Sequence, residues 1–313
     1  MVIVNIFRVG VILLISMPLH GIGQNRAQTL TDLKSLLHSE KEWIKVHAAE
    51  FLLWENQAVD EVREVYLQEE RLFGDVPKYR IGIWRVLAQA AVDPQNRKHW
   101  VDKIVAAYLD TAGEDRLHAI ETLAKLKIPI VHGMEDSLTG SMRIYSLWNY
   151  ATASKKHEQM VKDSLLADLL SGRLSEIEIL VTSFVLRYLG PFSKDEHQQL
   201  YNWLHGHAFN ASVTSNLLAT VWIAAPQDAD KELLQKTKEN LFALKDQPVA
   251  LNNMMQALAF KGGATEMELI RSLYNDVRDA NLPDYNSDLH ATAAYMIMKT
   301  AGRRGGQTDI LHL

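Results

Sequence analysis

A short helical motif recurs in this chain at steps of 35 and 36 residues, and that spacing limits the possible folds more than any other feature. The pattern small/apolar-apolar-polar-x-Leu reads AAEFLL, IWRVLA and AIETLA in copies that begin at Ala48, Ile83 and Ala119. In the second half, three residues that end apolar segments stand 36 residues apart: Gly190, Pro226 and Gly262. A repeat of this length is one small structural unit that cannot bury its apolar face alone, so the copies must stack.

The residues between these copies predict a second helix in each unit. Segments 59–73, 97–110 and 230–245 are more polar than the motif copies, and no strand-like alternation interrupts the chain. A capping residue before a proline marks one helix start at Asp93, and a capping box marks another at Ser193. The sequence therefore predicts an all-α fold: a right-handed solenoid of about eight stacked helix pairs.

The copy at 115–126, DRLHAIETLAKL, resembles the HEAT-repeat family. That family shows an Asp, then a small residue at a close helix contact, then spaced leucines. The resemblance extends by pattern over most of residues 24–302 and implies an α-solenoid. Segment 127–140 departs from the pattern and predicts a loop or kink, and residues 303–313 predict a flexible tail.

The first 23 residues have the three-part layout of a secretory signal. One positive charge at Arg8 precedes the apolar run VGVILLISMPL, and small residues at 21–23 precede Gln24. The run is shorter than the roughly 20 residues needed to span a membrane. We therefore expect cleavage after Gly23, export as a periplasmic or secreted protein, and no membrane span in the mature chain.

Composition removes several classes of function. The net charge of −5 disfavours binding to nucleic acid, which requires clustered basic residues, and the absence of cysteine excludes disulfides and thiolate sites. No cofactor is expected, because the sequence has neither a phosphate-binding glycine loop nor a zinc-protease motif. No metal site is expected either, because His205 and His207 have no third ligand in register.

Alignment of the first three motif copies brings candidate site residues into register. Residues three and seven apart lie along one stripe of a helix, so three neighbouring helices present three rows. The rows are His47, Gly82 and His118; Glu50, Arg85 and Glu121; and Trp54, Gln89 and Lys125. The central row has the alternation of a structural ion-pair ladder, which we favour over a ligand site.

The same stripe also admits a ligand-binding interpretation. Arg80 is four residues from Trp84, so its guanidinium can stack on the indole. Trp54, Trp84 and Trp148 could stack on a sugar ring.

Two functions remain open from the sequence. The first is an exported binding or scaffold protein that recognises a protein, peptide or glycan partner on its concave face. The alternative is a carbohydrate-active enzyme in which Glu50 and Glu121 act as paired carboxylates, with Arg85 and the tryptophans holding the substrate.

Overall fold

The computed structural model describes residues 20–130, 138–279 and 285–302, and these ranges contain helices and no strand. The predicted all-α fold is confirmed. Most of the predicted signal segment (1–19), the centre of the predicted kink (131–137) and the predicted tail (303–313) lie outside the described residues.

Within those ranges, eight helices form what we call the inner ring. They are α2 (Glu42–Trp54), α4 (Tyr79–Gln89), α6 (Arg116–Lys125), α7 (Gly140–Ala151), α9 (Glu176–Leu186), α11 (Ala211–Ile223), α13 (Pro248–Lys261) and α15 (Tyr285–Gly302). Seven outer helices pack on them: α1 (His20–Ser39), α3 (Val59–Phe73), α5 (Pro94–Leu109), α8 (Lys155–Leu170), α10 (Lys194–His205), α12 (Lys231–Phe242) and α14 (Met267–Asp279). A short 3-10 turn, Ala264–Glu266, precedes α14.

The inner ring closes on itself. Each inner helix contacts the next along the chain, and α15 then packs against α1 and α2. The sequence predicts stacked helix pairs but not that the last pair meets the first, which the contacts of α15 with α1 and α2 add. The physical reason is at the seam, where the Phe51 and Tyr295 rings stack at 4.6 Å and give the last helix an apolar partner on α2.

Inner and outer helices differ in burial because they differ in the number of their neighbours. Every residue of α4 from Ile81 to Ala88 is buried, since α2, α3, α5 and α6 all contact this helix. Helix α3 is buried only at Val62, Tyr66 and Glu69, along one stripe. Amphipathic helices therefore form the outer layer, and helices apolar on most sides form the inner one.

Close packing of α2 and α4 explains why a glycine is tolerated inside α4. A Cβ added at Gly82 would lie 2.9 Å from Val46 and 3.2 Å from Trp43. Glycine costs a helix interior roughly 1 kcal/mol relative to alanine, and here it permits the helix contact.

Polar contacts join the first and last helices at the seam. His47 Nδ1 and Asp288 Oδ1 are 2.6 Å apart, and His290 Nε2 lies 3.0 Å from Asp32 Oδ2. The Tyr274 hydroxyl also donates to Asp32. These pairs link α15 and α14 to α1 and α2.

The predicted helix starts are confirmed. Asp93 accepts a hydrogen bond from the backbone of Asn96 at 2.7 Å, and Ser193 forms a capping box with Glu196.

Candidate functional site

One cavity of about 960 Å³ lies inside the inner ring. Side chains from α2, α4, α6, α7, α9, α13 and α15 line it, together with residues near the starts of α5 and α8. Exposed lining residues mark its mouth: Lys127, Ser154 and Lys155. Aromatic side chains form much of its wall: Phe51, Trp54, Tyr145, Trp148, Phe184, Tyr188 and Phe260.

The structure brings seven of the ten candidate residues to this cavity: His47, Glu50, Trp54, Arg85, Glu121, Lys125 and Trp148. The other three, Arg80, Trp84 and His118, do not line it. The register inferred from the repeat therefore places the Glu50–Arg85–Glu121 row on the inside of the ring.

The three candidates away from the cavity have structural partners. Arg80 Nε donates to Asp115 at 2.5 Å, and its guanidinium lies 5.3 Å from the Trp84 ring, as the four-residue spacing predicts. The Trp84 indole donates to Glu70 at 2.7 Å. His118 stacks on a tryptophan of α2 at 5.6 Å, and burial lowers the pKa of this histidine. These contacts account for the three residues as packing between neighbouring helices.

Glu50 and Arg85 form a buried, two-pronged ion pair. Arg85 Nε donates to Glu50 Oε1 and Arg85 Nη2 to Glu50 Oε2, each at 2.7 Å, and the two side chains are only 6% and 5% exposed. Burial alone would raise the pKa of Glu50, but the charge and hydrogen bonds of Arg85 outweigh it and the pKa is lowered. Glu50 is therefore held ionised.

The predicted ladder does not continue directly to Glu121. Glu121 pairs with Lys125 at 3.0 Å, one turn along its own helix, and Arg85 Nη1 reaches Thr122 at 3.4 Å. The local lysine supplies a closer cation than Arg85 does, which corrects the expected three-residue alternation. Burial opposes ionisation of Glu121, yet Lys125, and more weakly Arg85, lower its pKa.

Gln89 extends the Glu50–Arg85 pair to the aromatic wall. Gln89 Nε2 donates to Glu50 Oε1 at 2.7 Å, and Gln89 Oε1 accepts from the Trp54 indole at 2.9 Å. Both ends of this amide are thus occupied, and the Trp54 ring is fixed where it lines the cavity.

The cavity wall also holds groups that the sequence did not single out. Two tyrosines, Tyr145 and Tyr188, line it, and within the described part of the chain neither hydroxyl has a hydrogen-bond partner. Burial raises the pKa of both phenols above the ordinary range, so they stay protonated at neutral pH and can donate hydrogen bonds.

Behind this wall lies a buried guanidinium, Arg187. Its nitrogens donate to neutral oxygens: Thr220 Oγ1 at 3.0 Å, Gln256 Oε1 at 2.9 Å and Asn216 Oδ1 at 2.9 Å. In the described ranges no carboxylate pairs with it, and burial lowers its pKa to about 10. A single charged residue inside the apolar segment VLRYLG was the signal that could have drawn attention to it.

Lys127 occupies a backbone position that favours glycine. It follows α6 with φ of 56°, in the left-handed region. The amides of Ile128 and Lys127 donate to Leu123 and Ala124 at 2.9 and 3.0 Å, which is the hydrogen-bond pattern of a Schellman cap. A residue with a Cβ costs about 1–2 kcal/mol in this conformation, yet a lysine is found there, at the mouth of the cavity.

Comparisons with family models, curated proteins and solved structures found no match to this chain. Among the described helices, none has the length and apolar character needed to cross a membrane. Over the same residues, no group of His, Asp or Glu side chains is arranged to hold a metal ion.

Proposed function

We propose that this chain is a binding protein that holds a segment of a glycan in its central cavity. The observation that carries the proposal is the wall of seven aromatic side chains around one cavity of about 960 Å³, interspersed with polar groups. Aromatic faces pack against the apolar faces of sugar rings, while amides, hydroxyls and charged groups hydrogen-bond to sugar hydroxyls.

The size of the cavity favours a glycan or an extended peptide over a folded protein. Small-ligand sites typically enclose about 300–1,000 Å³ and are concave and largely apolar. Of the protein, peptide or glycan partners that the sequence left open, the last two fit an inner face that encloses a single cavity better than a folded protein does. The planar side chains of Trp54 and Tyr188, both partly exposed on the cavity wall, then favour a sugar ring as the occupant, because its apolar face can pack against them.

The enzymatic alternative has less support from the same geometry. Glycoside hydrolysis needs one protonated carboxyl group as the proton donor beside an ionised one. Arg85 and Lys125 lower the pKa of Glu50 and Glu121, so both carboxylates are ionised near neutral pH. Glu50 is also held through both oxygens, which leaves it poorly placed to transfer a proton.

A glycan array probed with the purified chain tests the proposal. We expect one class of glycan to bind, and Trp54→Ala to weaken that binding at least tenfold, equivalent to about 1.4 kcal/mol. Trp203→Ala is the matched control, because Trp203 is also partly buried but does not line the cavity. The proposal fails if no glycan binds, or if the two variants lose affinity equally.

Export and repeat type remain proposals of the same kind. The signal-like layout of residues 1–23 supports cleavage after Gly23, and the described buried residues of α1 begin later, at Thr29. N-terminal sequencing of the mature protein should therefore start at Gln24; a soluble species that retains Met1 would contradict export.

The 35- and 36-residue steps and the helix pairs support a HEAT-like array of about eight right-handed units, here closed into a ring.

A further inference from the structure

We infer that the ligand of the central cavity carries an anionic group, a carboxylate or a sulfate ester, and that Gln256, Lys127 and Arg97 receive it. This inference rests on the proposed function and narrows it from glycans in general to acidic glycans. It follows from which charged groups around the cavity already have partners and which do not.

The carboxylates that line the cavity are all paired with a basic side chain. The pairs are Glu50 with Arg85 at 2.7 Å, Glu121 with Lys125 at 3.0 Å, Glu158 with Lys155 at 2.7 Å, and Asp288 with His47 at 2.6 Å. A cationic ligand would compete with these basic side chains for the carboxylates. An anionic ligand would leave all four pairs intact.

Two basic side chains in the cavity lining have no carboxylate partner among the described residues. Neither Arg97 nor Lys127 has an ion-pair partner in the part of the chain that the structure describes, and both line the cavity, Lys127 at its mouth. The lining holds five lysine and arginine side chains against four carboxylates, so its net charge is positive whether or not His47 is protonated. An excess of one sign in a concave site attracts ligands of the other sign.

Gln256 presents a donor rather than an acceptor to the ligand. Its Oε1 accepts from buried Arg187, so the end of the amide left for the cavity is the NH₂ group. Arg187 itself has only neutral partners among the described residues, which leaves a buried positive charge directly behind this amide. Such a charge is costly without a counter-ion, and an anion at Gln256 would supply one.

The backbone conformation of Lys127 gives a separate reason to assign its side chain to the ligand. Its left-handed backbone would be relaxed by glycine, so the ordinary cap chemistry of α6 does not explain a lysine there. Glu42, Asn56, Ala58 and Lys78 also have positive φ, but of these five described residues only Lys127 lines the cavity, which supports a role for its side chain there.

The test compares matched probes on the whole mature chain. The probes are a uronic-acid oligosaccharide with its carboxyl-reduced form, and a sulfated oligosaccharide with its desulfated form. We expect one of the two acidic probes to bind at least tenfold more tightly than its neutral partner, and that advantage to shrink as salt is raised. Which acidic probe binds identifies the anionic group.

Three variants locate the effect. Lys127→Gly should keep or raise Tm while weakening binding of the acidic probe at least threefold more than binding of the neutral probe. Gln256→Glu should give Arg187 a counter-ion, keep or raise Tm, and remove the preference for the acidic probe. Lys98→Gln is the control: it makes the same change in charge beside Arg97, but Lys98 is exposed and outside the cavity.

Equal binding of the acidic and neutral probes would overturn this inference and leave glycan binding in place. Failure of every probe and of the wider array would overturn both proposals. An acidic preference that survives Lys127→Gly and Gln256→Glu unchanged would show that the anion binds elsewhere, and would also refute the assignment made here.

Discussion

Replacing Arg85 by alanine tests how far the inner ring depends on a single ion pair. The substitution removes both hydrogen bonds to the Glu50 carboxylate and leaves Gln89 Nε2, 2.7 Å from Glu50 Oε1, as the donor that still reaches it. The Glu50 side chain is only 6% exposed, so its carboxylate stays largely desolvated although it borders the cavity.

The expected cost is large. Breaking a buried ion pair by removing one partner costs about 3–5 kcal/mol, because the remaining charge stays buried without compensation. With an unfolding entropy of roughly 2.1 cal/mol/K per residue, a chain of 313 residues loses about 1.5 °C in Tm for each kcal/mol, so Arg85→Ala should lower Tm by roughly 5–8 °C. An exposed pair would instead contribute about 0–1 kcal/mol, which separates the two cases clearly.

Thermal denaturation as a function of pH is the appropriate assay. In the wild type the pKa of Glu50 is lowered, so its contribution is present above the unfolded-state pKa and is lost as pH falls through the folded value. In Arg85→Ala the strongest opposing cation is gone while burial still raises the pKa of Glu50, so Glu50 should take up a proton at a higher pH than in the wild type and acid should relieve the buried charge. The deficit between variant and wild type should therefore shrink as pH is lowered from 7 towards 4.

The double variant Glu50→Leu/Arg85→Met serves as the control, because replacing both partners with apolar residues of similar size removes the unpaired charge. It should recover most of the stability lost in Arg85→Ala. A Tm drop of only one or two degrees, or a deficit that does not depend on pH, would refute a structural role for the pair.

Two further predictions concern helix packing and the seam. Gly82→Ala should lower the free energy of unfolding by up to about 2 kcal/mol, because overpacking costs about 1–3 kcal/mol and helix propensity returns about 1 kcal/mol. Gly206→Ala, whose added Cβ meets nothing closer than 3.4 Å, should leave Tm nearly unchanged. Asp32→Asn weakens the contacts with Tyr274 and His290 and should cost about 1–2 kcal/mol near neutral pH. Partial burial raises the pKa of Asp32, but hydrogen bonds from those two side chains outweigh it and the pKa is lowered. The stability lost in Asp32→Asn should therefore be constant above the unfolded-state pKa and disappear as pH falls below about 4. A loss that grows in acid would contradict a stabilising role for ionised Asp32.

Local features of the fold were accessible from the sequence because they depend on residues close together in the chain. The spacing of the motif copies identified the helix pairs, and Asp93 and Ser193 marked helix starts that the structure confirms. Closure of the ring could not be predicted from the sequence. It depends on the apolar contact of Phe51 with Tyr295, two residues that no repeat register brings together.

The candidate site likewise contains contacts that the sequence predicted and contacts that it could not predict. Register alone placed Glu50 and Arg85 on neighbouring helices, and they meet as a pair. Register could not show that Glu121 prefers Lys125, because that choice depends on side-chain reach rather than on spacing. Asp288 was missed since it joins the site only through closure, and Gln256 since its role depends on buried Arg187.

Closure of the inner ring also bears on how such a protein can change over generations. An open row of repeats grows or shrinks by gene duplication at either end, with one more unit added to an existing stack. Here the ends are occupied, because α15 packs on α1 and α2, and an extra helix pair would have to be inserted into a complete circle. Every inner helix would then have to change its packing angle to its neighbours. The inner diameter of the ring is therefore set by the whole number of helices in it. A cavity made in this way can change its chemistry one side chain at a time, while its diameter can change only in steps.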